Sequence, residues 1–294
     1  MTDFPTIARY AVIGNPIAHS RSPDIHQLFA AQTQRTLEYD KILAEPDEFG
    51  TVMPAFFEQG GLGLNVTVPF KQEAYALSQI LSARAAAAGA VNTLWLQNGL
   101  LHGCNTDGIG LVRDLTRLDA QLDGAQVLLV GAGGAARGVL QPLLEAGCAH
   151  IHIVNRTERR AHELREDWLS ALADHGLPAA HFDEHALSAG NLLSAGTGSW
   201  DIVINATASS LQGQAPELPP DIYRPDSLAY DMVYGPEDTP FMRVARIHGA
   251  ARCADGLGML IEQAAESFYL WHGLRPDTQA TLETMRATWS AART

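Results

Sequence analysis

Val127-Leu128-Leu129-Val130-Gly131-Ala132-Gly133-Gly134-Ala135-Ala136-Arg137 decides how the rest of the chain is read. Its branched apolar residues form the short continuous run expected of a strand buried on both faces, and the glycines that follow end the strand and open a helix. Gly131-x-Gly133-x-x-Ala136 fits the dinucleotide fingerprint. The first position makes the tight turn, the second lets a pyrophosphate approach the backbone, and the third must be small where helix packs on strand. The segment from Gly131 through Ala132, Gly133 and Gly134 to Ala135 is therefore the candidate phosphate cradle, with helix N–H groups facing the ligand.

Glycine-rich turns also occur where they merely permit tight packing, so context matters. A helical stretch runs from Ala135 to Ala146, Gly147 closes it as a C′ residue, and Ile151-His152-Ile153-Val154 reads as the next parallel strand of a βαβ unit. Where a carboxylate would bind the ribose 2′-hydroxyl of NAD, the chain has Asn155-Arg156-Thr157-Glu158-Arg159-Arg160. A planar guanidinium stacks on adenine and clamps a 2′-phosphate, which points to NADP(H), with Asn155, Arg156, Thr157 and Arg160 as the contact set. The bland alternative is a solvated basic first turn; cations there oppose the helix dipole, which counts against arginines without an anionic partner. A methyltransferase using S-adenosylmethionine shares the glycine turn but calls for an acid after the second strand, and Arg156 has the wrong charge.

Composition narrows the class. At 294 residues, 46% hydrophobic and 18% charged, the chain suits an ordinary globular protein of about two domains. A formal charge of -13 and a pI near 5.2 argue against nucleic acid or an anionic membrane as the main partner, while leaving room for a local basic pocket. No apolar run reaches a membrane span and Met1 to Tyr10 lacks the pattern of a signal peptide, so the expected compartment is the cytoplasm. Cys104, Cys148 and Cys253 are widely separated, indicating neither a disulfide framework nor a cysteine zinc site. His181 and His185 stand four apart without a third ligand nearby, so no metal is expected. The partner is then a small molecule, and the chain acts as a monomer or homodimer.

Along the chain the pattern alternates. Tyr10 to Ile13 is a strand, and Ser22-Pro23 starts a helix with Ile25, Leu28 and Phe29 on its apolar face. Leu37 to Leu43 is a strand, a helix runs from Pro46 to Gly60, Leu62 to Val68 is a third strand, and Pro69-Phe70-Lys71 opens another helix. Asn98-Gly99 between Val91–Trp95 and Leu100–Cys104 signals a tight hairpin. Asp107, suited to an N-cap, opens a helix through Ile109, Val112, Leu115 and Leu118 that bridges to the cofactor domain. That domain begins near Asp123-Gly124 and adds strands at Ile202–Ile204 and Leu228–Tyr230; helices follow at Met259–Gly273 and Pro276–Ala292. The fold class is α/β: an N-terminal α/β substrate domain plus a Rossmann-type dinucleotide-binding domain, with the C-terminal helices returning to the former. The expected boundaries are 1–106, 107–256 and 257–294.

Reducing a carbonyl to a hydroxyl needs a hydride carrier and a side chain that exchanges the proton. Lys71 and Asp107 each follow a strand, at the carboxyl edge where open α/β sheets bind ligands, and a carboxylate beside Lys71 favours its ammonium form. The alternatives are a plain helix cap for Asp107 and a solvated first-turn lysine for Lys71.

Over nearly its whole length the chain resembles the shikimate dehydrogenase family. The motifs are Gly14-Asn15-Pro16-Ile17-Ala18-His19-Ser20-Arg21-Ser22-Pro23, Asn65-Val66-Thr67-Val68-Pro69-Phe70-Lys71, Gly89-Ala90-Val91-Asn92-Thr93, Asn105-Thr106-Asp107-Gly108, the Gly131 loop, Asn155-Arg156-Thr157, Asn205-Ala206-Thr207, and Asp255-Gly256-Leu257-Gly258-Met259-Leu260 with Gln263. The resemblance implies reversible NADP-linked reduction of 3-dehydroshikimate to shikimate. It implies that Ser20 and Ser22 bind the substrate carboxylate, with Tyr234 near it, and that Asn65, Thr67, Asn92, Asp107 and Gln263 surround the ring hydroxyls with Lys71. By the same carry-over Thr207, Gly256 and Met259 lie at the cofactor. Ser22 as an N-cap, Tyr234 as a core-edge aromatic and Met259 as a core methionine are the plainer readings. Lys71 is assigned as the acid and Asp107 as its orienting partner, with the formal base of the reverse direction left open between them. Two positions depart from the family: Ala208-Ser209-Ser210 follows Thr207, and Cys104, a buried filler or an oxidisable thiol, precedes Asn105. A quinate or dual quinate/shikimate dehydrogenase is the nearest rival, and a non-catalytic dinucleotide-sensing regulator the rival from another class.

Overall fold

Alternating apolar strands and one-sided helices give the first half of the chain its sheet. In the computed structural model, which describes residues 7–174 and 186–291, that half contains β1 (Ala8–Gly14), α1 (Ser22–Gln32), β2 (Leu37–Leu43), α2 (Phe49–Glu58) and β3 (Gly61–Val66). There follow α3 (Lys71–Leu77), β4 (Ile80–Leu81), α4 (Ala83–Ala88), β5 (Thr93–Gln97) and β6 (Leu100–Cys104). The order is β2-β1-β3-β5-β6-β4, and β5 runs antiparallel to both of its neighbours. Asn98 and Gly99, at φ 54° and 78°, supply the left-handed pair that a tight hairpin requires.

Helix α5 (Asp107–Arg117) carries the chain to a second sheet. Its elements are β7 (Gln126–Val130), α6 (Gly134–Glu145), β8 (His150–Val154), α7 (Glu158–Asp174), β9 (Leu187–Gly190), β10 (Trp200–Asn205), β11 (Tyr223–Asp231), α8 (Pro240–Ile247) and β12 (Arg252–Asp255). All pairings are parallel, in the order β12-β11-β10-β7-β8-β9. Strand order reverses between β7 and β10, so the crevice at their carboxyl ends is where a ligand is received. The apolar run of β7 is explained by its two faces: Val127 and Leu129 pack toward Leu111, Val139 and Leu143, whereas Leu128 and Val130 pack toward Trp200, Phe241 and Ala245.

Two helices end the described chain, α9 (Leu257–His272) and α10 (Thr278–Ala291). Leu257, Ile261, Ala264, Ala265 and Phe268 of α9, with Leu282 and Met285 of α10, join Tyr10, Val12, Ile25, Phe29 and Tyr39 in the core of the first sheet. The C-terminal helices thus return to the N-terminal sheet, while Met259 turns the other way into the core of the second. The His181/His185 pair lies outside the described residues. Helix α2 starts at Phe49 rather than Pro46, and β4, β9 and β12 are strands that the apolar pattern did not signal.

Three histidines sit in this framework uncharged. His26, 1% exposed, stacks on Tyr39 at 4.2 Å, and burial, reinforced by His272, pushes its imidazole down to about 3. Burial likewise pushes His152 and His272 down to about 4. The unfolded chain takes up these protons near pH 6.5 and the folded chain only near pH 3 to 4, so the unfolded state is the proton-richer one across that window. Stability is therefore fully present above pH 6.5 and falls as the pH drops. For the fully enclosed His26 the effect is on the order of 4 kcal/mol. Thermal unfolding followed by circular dichroism should show the midpoint declining below pH 6.5, with a shallower decline in His26→Phe; an unchanged slope in that variant contradicts this account.

Candidate active site

Lys71 is the first residue of α3 and Asp107 the first of α5, each at the carboxyl end of a strand, and the turns bring them together. Lys71 Nζ donates to Asp107 Oδ2 at 2.5 Å, and Asn92 Nδ2 donates to Asp107 Oδ1 at 2.8 Å. The two charged side chains are only 16% and 8% exposed. Asp107 is not the N-cap expected of it: Thr106 occupies that position without a side-chain cap, and the Asn105 amide oxygen accepts the Asp107 N–H at 3.0 Å. Asn105 thus frees the Asp107 carboxylate to face Lys71, at a helix N-terminus that favours its negative charge. Both plain readings, cap and solvated lysine, are set aside by the pair.

Asn92 is the hub of the surrounding polar rim. Its Oδ1 accepts from the Thr106 N–H at 2.9 Å and from Thr93 Oγ1 at 2.8 Å, and its Nδ2 also reaches Thr106 Oγ1 at 2.9 Å and Gln263 Oε1 at 3.3 Å. Gln263 projects from α9 and spends its Nε2 on the Leu260 carbonyl at 2.8 Å. Asn65 Nδ2 donates to the Asn92 carbonyl, Thr93 Oγ1 and Ser267 Oγ at 3.0–3.2 Å. Thr67 ends the β3 turn half-buried, and its hydroxyl makes no hydrogen bond among the described residues.

At the far side of the rim, Ser20 Oγ donates to Ser22 Oγ at 3.2 Å. Ser22 is not a cap either: Arg21 holds the N-cap position and no side chain caps α1, so both hydroxyls face each other across the loop. Burial pushes the titration of the Tyr234 phenol up, offset in part by the nearby Arg21, and its ring stacks on that of Trp289 at 6.4 Å. Tyr234 is a core-edge aromatic placed beside the serine loop. Tyr39, Thr93, Thr106 and Ser267 complete the network; Ser267 stands one turn beyond Gln263 on α9, and Tyr39 shares the inward face of β2 with Leu37. That spacing was the one local signal for either residue.

Opposite this rim stands the glycine loop. Gly131 adopts φ +116°, and a side chain there would press on Ala206 and Thr207 at 3.1–3.2 Å. Gly133 is the N-cap of α6 with no side-chain cap and open space beside it, so the first-turn N–H groups from Gly134 and Ala135 are left for an anion. Lys71 Cδ lies 4.0 Å from where a Cβ on Gly134 would stand, which puts the lysine and the loop on two walls of one cleft. Asn155 Nδ2 donates to the Thr157 carbonyl at 2.9 Å, shaping the turn after β8. Arg156, Thr157 and Arg160 are exposed there. Arg159 pairs with Glu163 at 3.3 Å, so it does have an anionic partner; Arg156 and Arg160 form no ion pair among the described residues. Thr207 Oγ1 bonds Asn205 Oδ1 and Ser209 Oγ, both at 2.7 Å, and Met259 is buried under the loop in the second core. The donor set fits a phosphorylated dinucleotide: uncapped helix N–H groups for a pyrophosphate, and two guanidinium groups with no ion pair among the described residues for a further phosphate. Cys104 is buried, with Arg84 Nη2 at 3.3 Å from its sulfur, and fills space rather than reaching the cleft.

Three family comparisons cover most of this architecture. Residues 12–94 match the shikimate dehydrogenase substrate binding domain, residues 114–215 the shikimate / quinate 5-dehydrogenase family, and residues 256–286 the shikimate 5′-dehydrogenase C-terminal domain. The shikimate dehydrogenase (NADP(+)) of Bordetella petrii is 60% identical over 290 residues, covering 98% of each chain; that of Bordetella avium is 62% identical over 288 residues, with the same coverage. The solved structure of shikimate 5-dehydrogenase from Thermus thermophilus, in complex with NADP(H) and shikimate, superposes with a TM-score of 0.81 at 32% identity, covering 96% of this chain and 99% of that one. No helix among the described residues is long and apolar enough to cross a membrane. With two opposed walls of one cleft and relatives that match it from end to end, the chain belongs to the shikimate dehydrogenase (NADP(+)) family.

Proposed function

We propose that the chain catalyses the reversible reduction of 3-dehydroshikimate to shikimate with NADPH. The observation that carries this reading is the Lys71–Asp107 pair at 2.5 Å, set against the glycine loop across the cleft. Bound NADPH supplies the hydride to the carbonyl carbon. Lys71 Nζ gives a proton to the alkoxide that forms, and Asp107 holds the ammonium in place; in the oxidising direction the pair receives the proton. Ser20 and Ser22 donate to the substrate carboxylate, with Tyr234 beside them. Asn65, Thr67, Asn92 and Gln263 face the ring hydroxyls, since amides and hydroxyls both donate and accept. Gly131 to Ala135 cradle the pyrophosphate, Asn155, Arg156, Thr157 and Arg160 take the adenosine 2′-phosphate, and Thr207, Gly256 and Met259 border the nicotinamide. In domain terms, residues 1–106 bind substrate, 107–256 bind NADP, and 257–294 brace the first unit. The three cysteines are free, which suits a cytoplasmic enzyme working as a monomer or homodimer.

The test is to mix the protein with 3-dehydroshikimate and NADPH or NADH and follow cofactor oxidation. NADPH should be preferred by roughly 30-fold or more in kcat/KM, the worth of one or two charged hydrogen bonds, and Arg156→Ala should erode that preference. No oxidation with either cofactor would establish the sensing-regulator alternative, and faster oxidation of NADH would remove the role given to Arg156. Quinate oxidation at a rate comparable with shikimate would move the enzyme to the dual-specificity class.

A further inference from the structure

Glu266 lies on α9 between Gln263 and Ser267, yet it takes no part in the polar rim. Three arginines from three parts of the chain meet its carboxylate instead. Glu266 Oε1 accepts from Arg84 of α4, from Nη1 at 3.2 Å and from Nη2 at 3.1 Å. Oε2 takes Arg113 Nη1 of α5 at 2.9 Å and Arg275 Nη2, from the turn after α9, at 2.8 Å. Burial opposes the ionisation of Glu266, but Arg275, Arg84 and Arg113 together hold its carboxyl below the ordinary range, so it is a carboxylate. One negative charge thus faces three positive ones. Among the described residues no other acid joins them: Glu262, one turn earlier on α9, pairs with none of the three, and Asp114, beside Arg113, is spent on Arg117 and Tyr230.

We propose that Arg84, Arg113 and Arg275, pinned by Glu266, form a binding site for a doubly charged oxyanion, either inorganic phosphate or a phosphomonoester. Arg113 and Arg275 share a single carboxylate oxygen, so two cations stand side by side with one counter-charge between them, and a second anion relieves their repulsion. Neither has another hydrogen-bond or ion-pair partner among the described residues, which leaves most N–H groups of two guanidinium groups uncommitted. Access points the same way. The Glu266 side chain is 6% exposed and those of Arg113 and Arg275 are 30% and 46% exposed, so the carboxylate is sealed while the donors reach solvent. The Arg275 guanidinium also lies 4.3 Å over the Tyr269 ring, which orders it before any ligand arrives. The excess of two positive charges matches a phosphate dianion, and guanidinium forks suit its oxygens. On a chain of formal charge -13 this is a local feature rather than a basic surface. The cluster also ties together three supports of the active site, since α4 leads to Asn92, α5 opens with Asp107 and α9 carries Gln263. It depends on neither the substrate nor the cofactor assignment.

The test is the thermal midpoint of the full chain in saturating NADP+, which keeps the cofactor's own phosphate contacts filled. Inorganic phosphate at about 20 mM is expected to raise the midpoint by about 3 °C over sodium chloride of equal ionic strength, the shift given by a dissociation constant of about 1 mM. Glycerol 3-phosphate in a parallel arm separates the two sources: a larger shift assigns the site to a phosphate ester, a smaller one to the free ion. Arg113→Gln and Arg275→Gln each leave Glu266 with two arginines, and each should cut the shift to less than about 1 °C. No shift beyond that of sodium chloride in either arm overturns the proposal, and so does a full shift retained in both variants, which marks an adventitious ion bound elsewhere. Glu266→Gln should act in the opposite direction. It keeps a side-chain oxygen for the arginines and removes the charge that competes with the ligand, so the phosphate shift should grow to about twice that of the parent. A shift no larger than the parent's shows that the cluster is a closed ion-pair clamp and overturns the proposal as well. Should one arginine variant fail to fold, the other and Glu266→Gln still decide.

Discussion

Lys71→Ala is expected to lower kcat by about 10³-fold while changing the dissociation constant of shikimate by less than about fivefold. The asymmetry follows from where charge develops. In the ground state the substrate oxygen is a neutral carbonyl or hydroxyl, which Asn92 and Asp107 nearby can bond without Lys71. In the transition state that oxygen approaches an alkoxide, and a cation with a transferable proton matters far more there than in the bound substrate. The Lys71 ammonium is also held by Asp107 at 2.5 Å in a cleft where little solvent can replace it. Steady-state kinetics combined with an equilibrium titration of shikimate separate the two effects. A loss confined to binding, with turnover intact, means that Lys71 is a binding residue only and that the proton takes another route.

Gly256→Ala is expected to destabilise the protein by about 3 kcal/mol or more, lowering the thermal midpoint by roughly 6–12 °C. A Cβ at this position would stand 2.2 Å from the Met232 carbonyl oxygen and 2.7 Å from its carbon, and both are backbone atoms. Neither side can give way easily. Met232 N–H is bonded to the Asn205 carbonyl at 2.9 Å, and the adjoining Asp231 is gripped by Asn205, Ser210 and Thr239 at 2.6–3.0 Å. On the other side, Asp255 accepts from Arg286 Nη1 at 2.9 Å and from the Leu257 N–H at 3.2 Å. Because α9 begins here and carries Met259 into the core beneath the glycine loop and Gln263 to the polar rim, any shift that relieves the clash also disturbs both walls of the cleft. The KM for NADP+ should therefore rise along with the loss of stability. A midpoint within a degree or two of the parent would show that the strand end yields where its hydrogen bonds say it cannot.

Much of the fold was readable because it depends on neighbours along the chain. Two-faced burial wrote a run of branched residues into β7 and β8, Asn98-Gly99 marked the hairpin, and Gly147, at φ +92°, stopped α6. The strands that escaped notice, β4, β9 and β12, are all at sheet edges. An edge strand pairs on one side and is short, so Leu187-Ser188-Ala189-Gly190 and Arg252-Cys253-Ala254-Asp255 need no apolar run.

The site divides in the same way. Its motifs were legible by resemblance, and the glycine loop by its own chemistry, since a turn, a close backbone approach and a helix start are local demands. The roles of Asp107 and Ser22 as caps were plausible from adjacent residues and wrong, because their partners are not adjacent. Lys71 and Asp107 are 36 positions apart, Tyr39 and Asn65 26, and Asn92 and Gln263 171. The sequence by itself determined the alternation of strands and helices, the phosphate loop and the basic turn that follows it. Only the tertiary structure decided which polar groups face one another, because a hydrogen bond depends on a distance and a direction between groups that the chain brings together from far apart.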